Sequence, residues 1–320
     1  MPKLSSSVAM CTYNGARFLG EQLSTIAQQT EPPKELVVFD DCSTDETVSI
    51  LESFASQAAF PVRILVNAHN LGPARNFEKA IEACDGDIIV FSDQDDLWRP
   101  HKLASLGRVF EQHPEAMYAF SDAEMVDQLG KPTGQGLWEA VLLRRRLREF
   151  IGPGQLEILL RHNLVPGASM AFRASFRKVV LPLPPGWMHD YWIALLGSTL
   201  SYGVPVDEVL FKYRRHADQA CGWRKKNFAQ TLMDSLRTRH DESWKKIETF
   251  RHILSRVHST SLDWPADRIK LLEDKEIHLA RRAKVRSASG IKRVTGVLAE
   301  ACTGRYHRFS NSWYSVIRDL

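Results

Sequence analysis

Residues 88–96 read Ile-Ile-Val-Phe-Ser-Asp-Gln-Asp-Asp, a continuous apolar run that passes directly into an acidic loop. A run that is apolar at every position is typical of a strand covered on both faces, as in a parallel sheet. Residues 36–39, Leu-Val-Val-Phe, repeat this pattern and are followed by Asp40 and Asp41. Two buried strands with acidic ends predict an α/β protein with polar groups at one edge of its sheet.

Short apolar runs alternate with helical patterns over the first 120 residues. The predicted strands are Ser7–Thr12, Glu35–Phe39, Val62–Val66, Asp87–Phe91 and Ala116–Phe120. An apolar stripe at helical spacing predicts a helix that carries Phe77, Ala80, Ile81 and Cys84. Ser43 and Glu46 have the spacing of a capping box before another helix. Strand–helix–strand repetition predicts right-handed crossovers and a mainly parallel sheet.

The acidic loop after the fourth predicted strand is the strongest chemical signal. Asp93 and Asp95 are two residues apart, so in an extended segment their side chains point to the same side. Carboxylate oxygens in such a pair suit Mg²⁺ or Mn²⁺, which also bind substrate phosphates. A solvated loop with helix-capping acids is the alternative interpretation. The position directly after a buried strand favours the metal site.

Composition excludes several classes of protein. The 320 residues are 44% hydrophobic and 25% charged, which is ordinary for a soluble globular chain. No apolar run approaches the ~20 residues of a membrane-spanning helix, and the start shows no signal peptide. The five cysteines are scattered, which argues against a disulfide framework and a structural zinc site. G-x-G-x-x-G and G-x-x-x-x-G-K-[ST] are both absent. We expect a cytoplasmic protein.

Four segments in order carry a family resemblance: VAMCTYNGARFLGEQLSTIAQQT, VVFDDCSTDET, NLGPARNFEKAI and GDIIVFSDQDDLW. They resemble glycosyltransferase family 2, the inverting enzymes of the GT-A fold that use nucleotide sugars. SDQDDLW with the later HDYW and YRRH is most similar to bacterial rhamnosyltransferases of O-antigen and cell-wall polysaccharide assembly. The resemblance covers residues 6–222 and implies a GT-A fold with a mainly parallel central sheet.

The resemblance implies a nucleotide-binding role for residues after the first strands. Thr12, Tyr13 and Asn14 would line the nucleobase and ribose. Asp41 would accept a hydrogen bond from the ring N–H of uracil or thymine, and Arg75 would contact the nucleotide. The implied donor is a dTDP- or UDP-sugar.

The resemblance also implies a catalytic and metal-binding set. Asp93 would meet the ribose, and Asp95 would bind the Mg²⁺ or Mn²⁺ ion that bridges the diphosphate. His216 falls where many members place another metal ligand, and Asp190 where the family places its general base. Many relatives carry Glu-Asp at the base, whereas this chain has His189 before Asp190.

Each of these residues also has a simpler interpretation. Asp190 would cap a helix that starts at Tyr191, because Asp is frequent at that position. His216 would belong to a basic loop with its two neighbouring arginines. Arg75 would pair with Glu78 or Glu82 on the surface.

Sugar transfer with inversion matches the chemistry of the predicted set. One carboxylate must take the proton of the attacking acceptor hydroxyl, and a divalent cation stabilises the leaving diphosphate. A hydrolase would need two opposed carboxylates around the sugar. We therefore predict a metal-dependent inverting glycosyltransferase that moves a sugar such as L-rhamnose to a polysaccharide or lipid-linked acceptor. A sugar-phosphate nucleotidyltransferase and a non-catalytic carbohydrate- or membrane-binding protein are the alternatives.

The uneven distribution of charge along the chain predicts two domains. Residues 1–223 form the GT-A catalytic domain, with a nucleotide-sugar half over about 1–120 and an acceptor half over about 121–223. Residues 224–320 hold 21 Lys and Arg against 11 Asp and Glu and form a basic helical extension. Clustered bases and nearby aromatics predict peripheral contact with an anionic membrane, at the inner face of the cell membrane. Their members are Arg281, Arg282, Lys284, Arg286, Lys292, Arg293, Tyr306, Phe309, Trp313 and Tyr314.

The same helices have two other interpretations. They would pack on the acidic body of the catalytic domain, or they would form a homodimer. No nucleic-acid partner is expected.

Overall fold

The apolar runs form four adjacent parallel strands, which make up half of the central sheet in this computed structural model. They are β1 (Ser6–Thr12), β2 (Glu35–Asp40), β3 (Val62–Val66) and β4 (Ile88–Ser92), in the order β3-β2-β1-β4. Every residue of β2 and of β4 is buried. The structure describes residues 3–152, 154–217, 219 and 240–320. The predicted parallel core is confirmed, with strand ends that differ by one residue.

The other half of the sheet mixes the two strand directions. Its members are β5 (Leu97–Trp98), β6 (Ala116–Val126), β7 (Pro132–Gly136), β8 (Met170–Arg173) and β9 (Tyr202–Arg214). The order continues β4-β8-β6-β9-β5, with β7 paired to β6. β8 runs antiparallel to both β4 and β6, whereas β6 and β9 are parallel. β4 and β9 therefore point the same way, and their carboxyl ends face one edge of the sheet.

The chain divides into two compact units. The first comprises residues 1–151 and 164–223, and the second comprises 152–163 and 224–320. The boundary predicted at residue 223 lies outside the described residues, as does Cys221. Helices of the first unit are α1 (Ala16–Ala27), α2 (Thr47–Ala55), α3 (Pro73–Ala83), α4 (Lys102–Gln112), α5 (Leu137–Ala140), α6 (Leu147–Ile151), α8 (Arg177–Val180) and α9 (His189–Leu200). Helices of the second are α7 (Gln155–Leu159), α10 (His240–Ser259), α11 (Ala266–Ser287), α12 (Gly290–Cys302), α13 (Arg305–Phe309) and α14 (Ser312–Asp319).

The apolar stripe of α3 is confirmed, but the predicted capping box is wrong. Phe77 and Ile81 are buried on α3, as expected. α2 begins at Thr47 without a side-chain cap from Glu46. The Thr47 N–H instead donates to Asp45 Oδ1 at 3.0 Å, while the Ser43 hydroxyl donates to an acid at the end of β2. The carboxylate nearer to the helix therefore takes the capping function.

The second unit has its own small apolar core. Val285, Val297, Tyr306 and Val316 pack together at its centre. Tyr306 and Phe309 are buried, so the prediction that these two aromatic rings meet a membrane is wrong. Among the described helices, none has both the length and the apolar character that crossing a bilayer requires.

Two buried acids hold the helices of this unit together. Glu300 accepts hydrogen bonds from His278 Nδ1 at 2.8 Å and from Arg305 Nε at 2.8 Å. Burial lowers the pKa of His278 to about 4, so the ring is neutral and its Nε2 accepts the Ser310 hydroxyl at 2.8 Å. Burial opposes the charge of Glu300, but the bonds from His278 and Arg305 outweigh it and lower the pKa of Glu300 to about 2.

Asp319 is the second buried acid. Arg286 Nε donates to its Oδ1 at 2.7 Å, Arg282 Nη2 donates to Oδ1 at 3.0 Å, and the Tyr306 hydroxyl donates to Oδ2 at 2.8 Å. Much of the basic cluster predicted to face an anionic surface is therefore held inward, as internal ion pairs.

We expect the substitution Glu300→Gln to lower the free energy of unfolding by about 3 kcal/mol at pH 7, because it leaves the largely buried Arg305 guanidinium without its charged partner. The pKa of Glu300 falls from 4.5 to about 2 on folding, and that of His278 from 6.5 to about 4. The folded protein thus binds fewer protons than the unfolded chain. The stability that the Glu300–His278 pair contributes is fully present above pH 6.5 and is lost as the pH falls towards 2.

Urea unfolding of the full chain, measured between pH 7 and pH 3, checks this expectation. Glu273→Gln on the exposed side of α11 is the matched control. Equal loss of stability in the two variants would contradict a role for the Glu300 network.

Candidate active site

The carboxyl ends of β1, β2, β4 and β9 bring together the loops that carry the predicted site. β1 and β4 flank each other in parallel, and β1 also pairs with β2. β9 points in the same direction, so the segment after Arg214 reaches this edge from the other half of the sheet. Two distant stretches of sequence, 93–96 and 214–216, meet there.

Asp95 and His216 are in direct contact, 121 residues apart in sequence. The His216 Nε2 and the Asp95 Oδ2 lie 2.7 Å apart. Both side chains are nearly buried, and the imidazole packs on Phe18 with ring centroids 4.7 Å apart. The structure therefore brings together the two residues that the sequence resemblance designates as metal ligands.

Unbalanced negative charge surrounds this pair. Burial, together with the charges of Asp95 and Asp190, raises the pKa of Asp93 to about 7. Burial, followed by the charges of Asp95 and Asp93, also raises the pKa of Asp96 well above its ordinary value. The effect of Asp190 on Asp93 indicates that the start of α9 lies near the end of β4. An added cation would favour the ionised forms of Asp93 and Asp96.

Arg214 anchors the acidic loop from behind. Its Nε donates to the Asp95 carbonyl at 2.9 Å, and its Nη1 donates to the Gln128 carbonyl at 3.1 Å. Its Nη2 donates to Glu21 Oε2 at 2.6 Å, and the guanidinium lies 4.7 Å from the centre of the Phe18 ring. The Arg214 side chain is only 2% exposed. One buried residue thus fixes the backbone of Asp95 relative to α1 and the β6–β7 turn.

Lys102 is a second buried cation near the loop. Its Nζ donates to the Ala168 carbonyl at 2.9 Å and lies 4.0 Å from the Trp98 ring and 4.3 Å from the Phe211 ring. Burial lowers the pKa of Lys102 to about 7, against the attraction of Asp96 and Asp93. Lys102 therefore offsets part of the acidic charge from the core side.

Gln94, between the two acids of the D-x-D pair, connects β4 to the loop after β1. Its Oε1 accepts the Tyr13 N–H at 2.8 Å, and its Nε2 donates to the Tyr13 carbonyl at 3.1 Å. A Cβ on Gly15 would lie 2.3 Å from Gln94 Oε1, so a larger residue there requires the Gln94 side chain to move. Tyr13 itself is 48% exposed and free to stack on a ligand.

The other predicted nucleotide-binding residues of this region have internal partners. The Thr12 hydroxyl donates to Asp40 Oδ2 at 2.7 Å, and the Asn14 Oδ1 accepts the Thr44 N–H at 2.8 Å. Asp41 Oδ1 accepts the Leu71 N–H and Oδ2 accepts the Gly72 N–H, each at 2.8 Å, so Asp41 shapes the loop before α3. Its contact with a nucleobase stays a prediction.

Arg75 lies on the surface of α3. Its Nη1 donates to Glu78 Oε2 at 2.6 Å, which is the simpler interpretation given above. The Glu78 carboxylate also accepts the Leu183 N–H at 3.0 Å, so this ion pair links α3 to the segment before α9. A contact between Arg75 and a nucleotide stays a prediction.

Asp190 lies in the first turn of α9, which begins at His189, two residues before the Tyr191 start that the predicted cap would require. Its Oδ1 accepts its neighbour's N–H, that of Tyr191, at 2.6 Å, and its Oδ2 accepts the Gly167 N–H at 3.1 Å. His189, in contrast, belongs to the core. Its ring packs between Phe77 at 4.1 Å and Phe91 at 4.5 Å, and burial lowers its pKa to about 3. A neutral His189 leaves Asp190 as the only charged member of the pair.

The donor set suits a hard divalent cation with open coordination positions. Carboxylate oxygens and an imidazole nitrogen are ligands that Mg²⁺ or Mn²⁺ accepts, and burial with the neighbouring carboxylates raises the pKa of Asp93 beside them. Within the described residues, no three His, Cys, Asp or Glu side chains already form a closed metal cluster. Asp95 and His216 therefore fit a metal whose remaining ligands come from a substrate.

Sequence reasoning missed Arg214, Gln94 and Lys102. Arg214 was interpreted only as part of a basic loop. It is the last residue of β9, and its backbone partners are distant in sequence. Gln94 and Lys102 give no signal either, because their partners are backbone groups or aromatic rings distant in sequence.

We expect Arg214→Met to lower the free energy of unfolding by about 3 kcal/mol, since it removes a buried charge and leaves two carbonyls without their donor. Arg215→Met is the matched control, because Arg215 is the next residue in sequence and is not buried. Urea unfolding measures both variants. If Arg214→Met lowers the free energy of unfolding no more than Arg215→Met does, the Arg214 anchor is dispensable for stability.

Comparisons with known proteins identify the family of the chain. Residues 7–180 match the family model described as Glycosyl transferase family 2. The dTDP-rhamnosyl transferase RfbG of Shigella flexneri is 26% identical over 67% of this chain and 73% of its own length. An uncharacterized glycosyltransferase of Nostoc is 27% identical over 56% of this chain and 54% of its own length. The chain thus spans little more than half the length of several curated relatives.

Solved structures show the same fold. TarS residues 1–349 of S. aureus, in complex with UDP-GlcNAc, superpose with a TM-score of 0.56 at 17% identity, covering 93% of this chain and 80% of that one. The mannosyltransferase PcManGT of Pyrobaculum calidifontis, in complex with GDP-Man and Mn²⁺, gives a TM-score of 0.51 at 18% identity, covering 99% and 86%. The parallel strands, the acidic loop after β4 and the family match over more than half of the sequence lead to one conclusion: the chain belongs to glycosyltransferase family 2 and has a GT-A fold.

Proposed function

We propose that this glycosyltransferase moves a sugar, with inversion and with the help of a divalent metal, from a nucleoside diphosphate to a hydroxyl of a glycan or lipid-linked acceptor. The observation that carries the proposal is the contact between Asp95 and His216 beside Asp93 and Asp190. A dTDP-rhamnose donor is the first candidate, because RfbG is named a dTDP-rhamnosyl transferase. UDP-sugars come second, because the TarS structure holds UDP-GlcNAc. We further propose polysaccharide assembly, such as that of O-antigen, on the cytoplasmic side of the membrane as the setting.

Asp190 is the proposed general base. Inversion requires one carboxylate that takes the proton from the acceptor hydroxyl as this oxygen attacks the anomeric carbon. The N–H groups of Gly167 and Tyr191 hold the two oxygens of Asp190, so the carboxylate keeps one orientation. A carboxylate held in one orientation is suited to take the proton of a hydroxyl that the substrate places beside it.

Asp95 and His216 are the proposed metal ligands, and Asp93 meets the ribose of the donor. Mg²⁺ or Mn²⁺ at this position would act as a Lewis acid that stabilises the charge of the leaving diphosphate. Arg214 and Lys102 keep the acidic loop in place from the core side. Tyr13 offers an exposed ring for the nucleobase, with Thr12, Asn14, Asp41 and Arg75 around it as proposed nucleotide contacts.

Release of nucleoside diphosphate from dTDP-rhamnose, UDP-GlcNAc and GDP-mannose, with Mn²⁺ or Mg²⁺, tests the proposed reaction. Transferases of this kind hydrolyse their donor slowly without an acceptor, so an assay is possible before the acceptor is known. No release from any donor, with or without glycan acceptors, would argue against sugar transfer.

We expect Asp190→Asn to reduce turnover by roughly 10²–10⁴-fold while donor affinity stays unchanged, because the amide cannot accept a proton. Asp267→Asn is the matched control, since Asp267 also lies in the first turn of a helix but is exposed on α11. Turnover gives the catalytic effect, and calorimetric titration with the donor gives the affinity. Turnover near the wild-type value would mean that Asp190 serves only the local structure.

We expect Asp95→Asn and His216→Gln to weaken the Mn²⁺-dependent part of nucleoside diphosphate binding by about tenfold or more, because each removes one of two protein ligands. His69→Gln, at an exposed position before α3, is the control. Titration of UDP and dTDP with Mn²⁺ and with a chelator separates the two contributions. Binding that is equally strong in the chelator for wild type and variants would contradict the metal site.

A further inference from the structure

Exposed apolar side chains are concentrated at the end of the second unit. Within the described residues, sixteen large hydrophobic side chains are exposed, and seven of them lie in the last thirty residues. The most exposed are Ile291 at 82%, Ile317 at 70% and Trp313 at 62%. The other four are Val294, Leu298, Tyr314 and Leu320.

These side chains form the outer faces of two helices whose inner faces already pack in the core of the second unit. α12 directs Val297 and Glu300 into the core of the unit, while Ile291, Val294 and Leu298 follow at i, i+3 and i+7 on its exposed side. The stripe has the spacing of a helix face that packs on an apolar surface.

α14 repeats this arrangement. It buries Val316 and Asp319, while Trp313, Ile317 and Leu320 follow at i, i+4 and i+7 on the exposed side. Each of the two helices thus has one buried face and, in addition, an exposed apolar stripe.

The charge around these stripes has one sign. Residues 281–320 contain nine Lys and Arg but only two acids, Glu300 and Asp319, and both acids are buried and bound by arginines. Lys284 and Lys292, in contrast, are exposed. Because both acids face inward, the exposed charged side chains of residues 281–320 are all basic.

We propose that the exposed faces of α12 and α14 are a docking surface for an anionic lipid bilayer. Apolar side chains enter the acyl boundary, Trp313 and Tyr314 suit the headgroup level, and Lys284 and Lys292 attract anionic lipids. A second copy of this chain fits less well, because it would bring two positive surfaces together. The proposal does not rest on sugar transfer, and vesicle binding without any substrate tests it separately.

The experiment is sedimentation of the full chain with vesicles of phosphatidylcholine alone and of phosphatidylcholine with phosphatidylglycerol, at low and high salt. We expect binding to the anionic vesicles that weakens about tenfold or more at high salt, as screening of surface charge requires. No binding to the anionic vesicles, or equal binding to both kinds at either salt concentration, would overturn the proposal.

Two pairs of variants distinguish the apolar and the charged contributions. Ile291→Asn with Ile317→Asn should weaken vesicle binding by about tenfold or more, because the transfer of these side chains from water is lost. Leu129→Asn with Ile151→Asn, also exposed but in the first unit, should leave binding unchanged. Lys284→Glu with Lys292→Glu should weaken binding by about tenfold or more, whereas Lys131→Glu with Lys178→Glu should not.

Light scattering of the same proteins tests the alternative that a second copy of the chain binds this surface. A wild-type dimer that becomes monomeric in the Ile291→Asn, Ile317→Asn variant, with vesicle binding unchanged, would assign the surface to a second copy and overturn the proposal. A monomer throughout, with vesicle binding lost only in the variants of the second unit, supports the bilayer.

Discussion

The acidic loop at the end of β4 is the constraint on which the site depends. A buried strand delivers Asp93, Asp95 and Asp96 to one place, where repulsion and the loss of hydration both oppose ionisation. Arg214 holds the backbone of this loop, and Lys102 supplies a positive charge from the core. Neither cation occupies the solvent side of the carboxylates. The protein thus stabilises the loop enough to fold while leaving a negative potential for a ligand to neutralise.

Much of this architecture could be predicted from the sequence, because its cause is local. The runs at 36–39 and 88–91 are apolar at every position, and only strands buried on both faces require that. The capping box failed for a physical reason: the Ser43 Oγ accepts the Asn14 N–H instead of a helix N–H, and its hydroxyl donates to Asp40, at the end of β2. Arg214 and Gln94 could not be assigned, since their partners are carbonyl and N–H groups that only the assembled sheet brings within reach.

The second unit shows how charge counting can mislead. Its sequence predicts a strongly basic surface, yet Arg282 and Arg286 are bound to Asp319, and Arg305 to Glu300. A buried acid surrounded by several arginines is a cross-link between helices, so composition alone overstates the charge available to a partner. What the fold leaves outside is a smaller set of lysines beside apolar stripes, a combination that only the structure could separate from the internal pairs.

The Gln94 side chain couples the loop after β4 to the loop after β1, because it lies against Gly15. The Gln94 side chain occupies the volume that any larger residue at position 15 would need, and it also bridges the N–H and the carbonyl of Tyr13. A side chain at position 15 therefore displaces the Gln94 amide from its two bonds to Tyr13. An engineer who grafts a different loop after β1 should choose the residue at position 94 together with that loop.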